Sequence, residues 1–184
     1  MNWNTMNQHQ IQEAYLKTFV GSDNKLWVYR KNLDMKPIKV APLNCTVLKD
    51  FQSVEKEEFQ NKAIETPGIK ALRKLIKNVG EITDGEIEII FNWMALHSIR
   101  NQRARERIFQ NKTEYENHFD NIYDQENKYL QDFNFCDQYT IHEKNEFFIT
   151  SDNPVFKVNI KDTIVLFLTL SPTKAIILTT HGKR

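Results

Sequence analysis

The sequence predicts an α+β fold: a single domain over residues 1–184, in which a mainly antiparallel sheet, built from an N-terminal hairpin and C-terminal strands, packs against a helical middle. Three observations lead there. β-rich runs gather at the two ends of the chain, in residues 26–41 and from residue 138 onward. Helical periodicity fills the stretch between them. Within that stretch, "EIEIIFNWMALHSI" (86–99) is apolar on nearly every face, as a helix buried at the centre of a domain would be.

The elements follow in order. "IQEAYLKTF" (11–19) places Ile11, Tyr15, Leu16 and Phe19 at helical spacing, and Gly21-Ser22-Asp23 ends that helix. "LWVYR" and "PIKVA" form a hairpin through the polar "KNLDMK", with Pro37 at the edge, where a missing N–H donor is tolerated. From Val54 to Val79 the pattern is helical, but Pro67-Gly68 predicts two helices or one sharply kinked helix. Asp84 reads as the N-cap of the central helix, with Glu86 and Glu88 in its first turn. That helix runs into the basic "RNQRARERIFQNK". A polar helix over 113–133 follows, its apolar stripe being Tyr115, Phe119, Ile122, Tyr123 and Leu130. "QYTIHE", "FFIT", "TIVLFLTL" and "KAIILTT" read as the closing strands, and "SPTK" as the turn between the last two.

Composition excludes several classes. With 184 residues, of which 40% are hydrophobic and 27% charged, the chain can bury a core and is not a disordered type. Twenty-five basic against twenty-four acidic side chains give a net charge of +1, so any attraction to nucleic acid must come from a local patch. Two cysteines, Cys45 and Cys136, without C-x-x-C spacing fit a reducing compartment. No signal-peptide pattern opens the chain, and "TIVLFLTL" is far shorter than the roughly 20 residues that span a bilayer. A cytoplasmic protein without a membrane partner is the expectation.

The chemistry-bearing residues centre on "FFITSDNPV" (147–155). Ser151-Asp152-Asn153 and Ser171-x-x-Lys174 imitate two penicillin-binding motifs, but their order is reversed and K-T-G is missing, so that chemistry is excluded. Pro154 holds Asn153 out of the helical region, and Asp152 and Asn153 then suit either a turn or a functional strand end. His97, Arg100, Arg103 and Arg107 share one helical face, and guanidinium forks suit phosphate. Arg100, at the end of a core helix, needs a partner, for which Asp152 is a candidate. The histidines form no H-E-x-x-H pair, which leaves a divalent metal to a site assembled by folding, such as His9 with Asp152.

Two readings result. In the first, Arg100, Arg103, Ser151 and Asn153 bind a phosphate-containing ligand or nucleic acid, and His9 with Asp152 serves as metal ligand or acid/base pair in phosphodiester hydrolysis. In the second, the chain is a non-catalytic interaction or regulatory module with a protein partner, and Arg100 and the Ser151–Pro154 turn are structural.

Six blocks, "HQIQEAYLKTF", "LWVYRK", "IETPGIKALRKL", "LHSIRNQR", "FITSDNPV" and "LSPTKAIIL", together resemble the uncharacterised bacterial family with domain of unknown function 4238. His9 matches the histidine of its His-Tyr-Val-Pro opening, whereas Gln10, Ile11 and Gln12 depart from the rest of that motif. Arg100 and Ser151–Pro154 match its arginine and its Ser-Asp-Asn-Pro motif. The resemblance implies a bacterial or phage-associated intracellular protein, shortened between the central helix and "FITSDNPV". It implies no activity.

Overall fold

A computed structural model describes residues 7–30, 36–49, 52–77, 82–100, 112–131, 133, 138–142, 147–161 and 163–179. Strand β1 (Asn7–His9) opens the chain and pairs antiparallel with β4 (Val47–Lys49), His9 lying opposite Val47. Neither strand is legible in the sequence, because three polar residues carry no alternation and their partner lies forty positions away. Helix α1 (Glu13–Leu16) continues as a 3₁₀ turn (Lys17–Phe19). The predicted hairpin forms from β2 (Leu26–Val28) and β3 (Ile38–Val40), with Trp27 opposite Lys39. It stands as its own two-stranded ladder instead of joining the C-terminal sheet.

Two α-helices form here, as expected, but they join without a loop at Pro67. Helix α2 (Val54–Gln60) passes through one π turn (Asn61–Glu65) directly into α3 (Thr66–Lys77), so Pro67 and Gly68 sit in the first turn of α3. Proline offers no N–H to the preceding turn, and a wider i→i+5 turn at that place accommodates the loss without ending the helix. Ser53 caps α2 by accepting from the Lys56 N–H. Helix α4 (Asp84–Ile99) is capped by Thr83, one residue earlier than expected. Thr83 accepts from the Glu86 N–H while the Glu86 carboxylate accepts from the Thr83 N–H, the reciprocal capping box that T-x-x-E encodes.

As its composition requires, α4 is buried: Phe91, Trp93, Met94 and Leu96 are at most 1% exposed. Side chains of this size each contribute about 1.5–3 kcal/mol on burial. Helix α5 (Lys112–Gln131) buries Tyr115, Phe119 and Leu130 along the expected stripe.

Strands β5 (Gln138–His142), β6 (Val155–Ile160), β7 (Thr163–Ser171) and β8 (Lys174–Thr179) form an antiparallel sheet in the order β5-β8-β7-β6. On its inner face Leu166, Leu168, Leu170 and Leu178 join Ile11, Tyr15, Leu72 and Phe91 in one core, which ties both ends of the chain together. Residues 147–150, expected to be a strand, are not one: Phe147 and Ile149 are exposed, and Phe148 donates its N–H to the Pro172 carbonyl at 2.8 Å. The strand instead starts at Val155, just past the turn. A second cluster of Ile64, Leu96, Ile99, Tyr115 and Phe119 joins the π turn, α4 and α5.

Candidate functional site

Arg100 follows the last turn of α4 and is 0% exposed. Its partner is not Asp152. One guanidinium nitrogen donates to Glu65 Oε1 at 3.0 Å, and the other donates to Glu57 Oε2. Both carboxylates come from the α2–α3 helix. Eight residues along a regular α-helix overshoot two turns by roughly 80°. The wider π turn between them absorbs that excess and returns Glu65 to the side of Glu57.

Around this pair lies a buried polar cluster. Gln8 in β1 exchanges two hydrogen bonds with the Gln52 backbone, donating to its carbonyl at 2.9 Å and accepting from its N–H at 2.7 Å. The Gln52 side chain donates to Gln60 at 2.8 Å and to Glu57. His97, fully buried one turn before Arg100, places Nε2 at 3.5 Å from Glu65 Oε1, and its ring lies 4.0 Å from that of Trp93. Among the described residues neither ring nitrogen has a hydrogen bond of normal geometry, nor do Arg100 Nε, Gln10 Nε2 or Gln60 Nε2.

Electrostatics follow from burial. Glu65 is pushed up to about 7, chiefly by loss of water; Arg100 opposes the rise and Glu57 adds to it. His97 is held well below its usual value, first by burial and then by the Arg100 charge, against a smaller opposite effect of the Gln10 backbone. At neutral pH the cluster therefore holds a Glu65 carboxyl near its midpoint and a neutral His97 imidazole beside the Arg100 guanidinium. Perturbed groups of this kind also occur at catalytic centres. Here Arg100 and His97 have no exposed surface, while the Glu65 side chain is 7% and the Glu57 side chain 18% exposed.

The other expected residues lie elsewhere. His9 in β1 pairs its Nδ1 with the Cys45 carbonyl at 3.2 Å. Asp152 is exposed and has no ion pair among the described residues. Ser151 Oγ accepts from the Asn153 N–H at 3.1 Å and donates to the Asn153 carbonyl at 2.8 Å, closing the turn on itself. Arg103 and Arg107 lie outside the described residues. Among those described, no three His, Cys, Asp or Glu side chains are grouped to hold a metal ion. A small apolar cavity behind α4 and an open hollow of about 550 Å³ beside Asp84 and Glu88 are lined by none of His9, Arg100 or Asp152.

The N-terminal helix, the core helix and the segment before the turn do meet, through residues the sequence did not assign to the site. The Tyr15 hydroxyl, in α1, donates to the Thr169 carbonyl at 2.7 Å and bonds Thr150 Oγ1 at 2.9 Å. Trp93 Nε1 donates to Gln12 Oε1 at 3.1 Å. This junction is a structural bracket, since Tyr15 and Trp93 are each at most 1% exposed.

Fold and cluster together define an α+β protein whose helical layer is organised around a buried arginine–dicarboxylate pair. The chain matches the family described as Protein of unknown function (DUF4238) over residues 7–137, and it belongs to that family. No curated protein and no solved structure matches it. Among the described residues no helix is long and apolar enough to cross a membrane.

Proposed function

We propose that this chain works by binding and not by catalysis, as a cytoplasmic interaction module in which Arg100 and the Ser151–Pro154 turn are architectural. The observation that carries this reading is Arg100 itself: its guanidinium is 0% exposed and both terminal nitrogens are engaged by carboxylates. Binding a phosphate there would require Arg100 to leave Glu57 and Glu65, and breaking a buried pair costs about 3–5 kcal/mol. The hydrogen bonds within the Ser151 turn support the same reading.

The alternative is metal-dependent phosphodiester hydrolysis by His9 and Asp152, with Arg100 and Arg103 on the phosphate. It differs in a measurable way. Purified protein supplied with Mg²⁺ or Mn²⁺ and either bis-p-nitrophenyl phosphate or nucleic acid should turn over no faster than the blank. His9→Ala and Asp152→Asn should leave that null rate unchanged, while Arg100→Met should lower unfolding free energy by about 3–5 kcal/mol. Turnover that disappears in Asp152→Asn would overturn the proposal.

A further inference from the structure

The β2–β3 hairpin carries the most conspicuous uncommitted surface of the described residues. Trp27 is 69% exposed and Tyr29 is 63% exposed, values unusual for aromatic side chains in a folded domain. Trp27 lies in β2 and points away from the core, because its neighbour Leu26 is buried. Alternation along the extended chain puts Lys25, Trp27 and Tyr29 on one side. Lys39, directly opposite Trp27, shares that side and places Nζ 5.0 Å from the centre of the indole ring.

Charge is as uneven here as it is balanced elsewhere. The whole chain carries +1, yet the described part of this hairpin holds Lys25, Arg30, Lys36 and Lys39, all cationic, against Asp23 alone. Asp23 is committed to Lys39 at 2.5 Å. Lys25, Arg30 and Lys36 have no ion pair among the described residues.

We infer that this hairpin is a seat for single-stranded nucleic acid, with successive bases on Trp27 and Tyr29, a backbone phosphate on Lys25 of the same side, and Arg30 and Lys36 adding positive charge from the other side. Two rings on alternate residues stand roughly 7 Å apart, so each can take a separate base. Unpaired bases expose the faces such rings need, and cations beside the rings take the phosphates. Among the described residues of the hairpin Asp23 is the one acid, and such an excess of cations suits a polyanion better than a surface of mixed charge. The inference extends the binding-module reading to a defined partner and uses none of the buried cluster.

The test is a fluorescence-anisotropy titration of the full chain with short labelled oligothymidylate, its RNA counterpart and a duplex, over a series of salt concentrations. Single strands should bind more tightly than duplex. Trp27→Ala should weaken binding about tenfold, Trp27→Phe much less, and Tyr29→Ala by a similar order to Trp27→Ala. Lys25→Ala should lower the slope of log affinity against log salt by about 0.7. All these side chains are exposed, so thermal midpoints should stay at the wild-type value.

Absence of binding at low salt, or binding indifferent to Trp27, overturns the seat and leaves the module reading standing. So does a result in which Trp27→Ala disperses a dimer seen by light scattering without affecting oligonucleotide. Mg²⁺-dependent cleavage of the bound strand would instead overturn the non-catalytic reading and leave the seat in place.

Discussion

Glu65→Gln should tilt the pH dependence of stability one way, and His97→Gln the other. In the folded chain Glu65 takes up its proton at about 7, against an ordinary value of 4.5. At about 1.4 kcal/mol per unit, folding with this carboxyl ionised costs about 3 kcal/mol. Its stabilising contribution is therefore complete below 4.5 and is lost as pH rises through 7. His97 behaves oppositely. Its folded value lies well below 6.5, so its contribution is present above 6.5 and is lost as pH falls below that point. Arg100 faces both, Glu57 acts on Glu65, and the Gln10 backbone acts on His97.

Between 4.5 and 6.5 the two slopes oppose, and the wild type should show a nearly level profile. With His97 replaced, Glu65 acts alone, and stability should rise by up to about 3 kcal/mol as pH falls from 8 to 5. With Glu65 replaced, His97 acts alone, and stability should fall below pH 6.5 with a slope of up to about 1.4 kcal/mol per unit. Urea unfolding followed by fluorescence of the three tryptophans at several pH values measures both. Each variant loses packing as well, but the slopes are read independently of that offset. Slopes of the same sign in the two variants, or profiles unchanged from wild type, would refute the buried-cluster electrostatics.

Two further outcomes test the packing. A Cβ at Gly68 would lie 2.4 Å from Trp93 Cδ1, and Trp93 is held from its other side by Tyr15 and His97. Overpacking of about 1–3 kcal/mol outweighs the helix-propensity gain of up to about 1 kcal/mol, so Gly68→Ala should lower Tm by roughly 2–4 °C by differential scanning calorimetry. An unchanged or raised Tm would show that α3 and α4 separate easily. Tyr15→Phe removes the hydroxyl bonded to Thr150 and Thr169 and should cost about 1–2 kcal/mol in urea unfolding, a loss that would be absent if the bracket were not formed.

The architecture was legible wherever the signal is periodic. An all-round apolar α4, the stripe of α5, and β7 and β8 all follow from pattern alone, and the T-x-x-E capping box was readable one residue from where Asp84 was expected to cap. Short pairings were not. β1 and β4 owe their existence to a contact between distant three-residue segments, while β6 was hidden because the apolar run before the Ser151–Pro154 turn reads as the strand and the mixed "VFKVNI" after it does not. Arg100 was expected to need a partner, and it has two. Neither could be named, because a π turn leaves no sequence mark and regular helical spacing sets Glu57 and Glu65 roughly 80° apart around the helix. The Ser151–Pro154 motif drew notice through its residue types, and local hydrogen bonding accounts for those types.

The Tyr15 bracket also sets a schedule. A hydroxyl near the start of the chain closes on a carbonyl 154 positions later, and the core beneath it draws on Leu168 and Leu170. At about 5–20 residues per second, a ribosome needs several seconds to make the strands that follow residue 137. Until they emerge, the apolar face of α4 has no sheet to cover it. The nascent chain exposes that apolar face during the interval, and a fragment ending where the family match ends should remain unfolded.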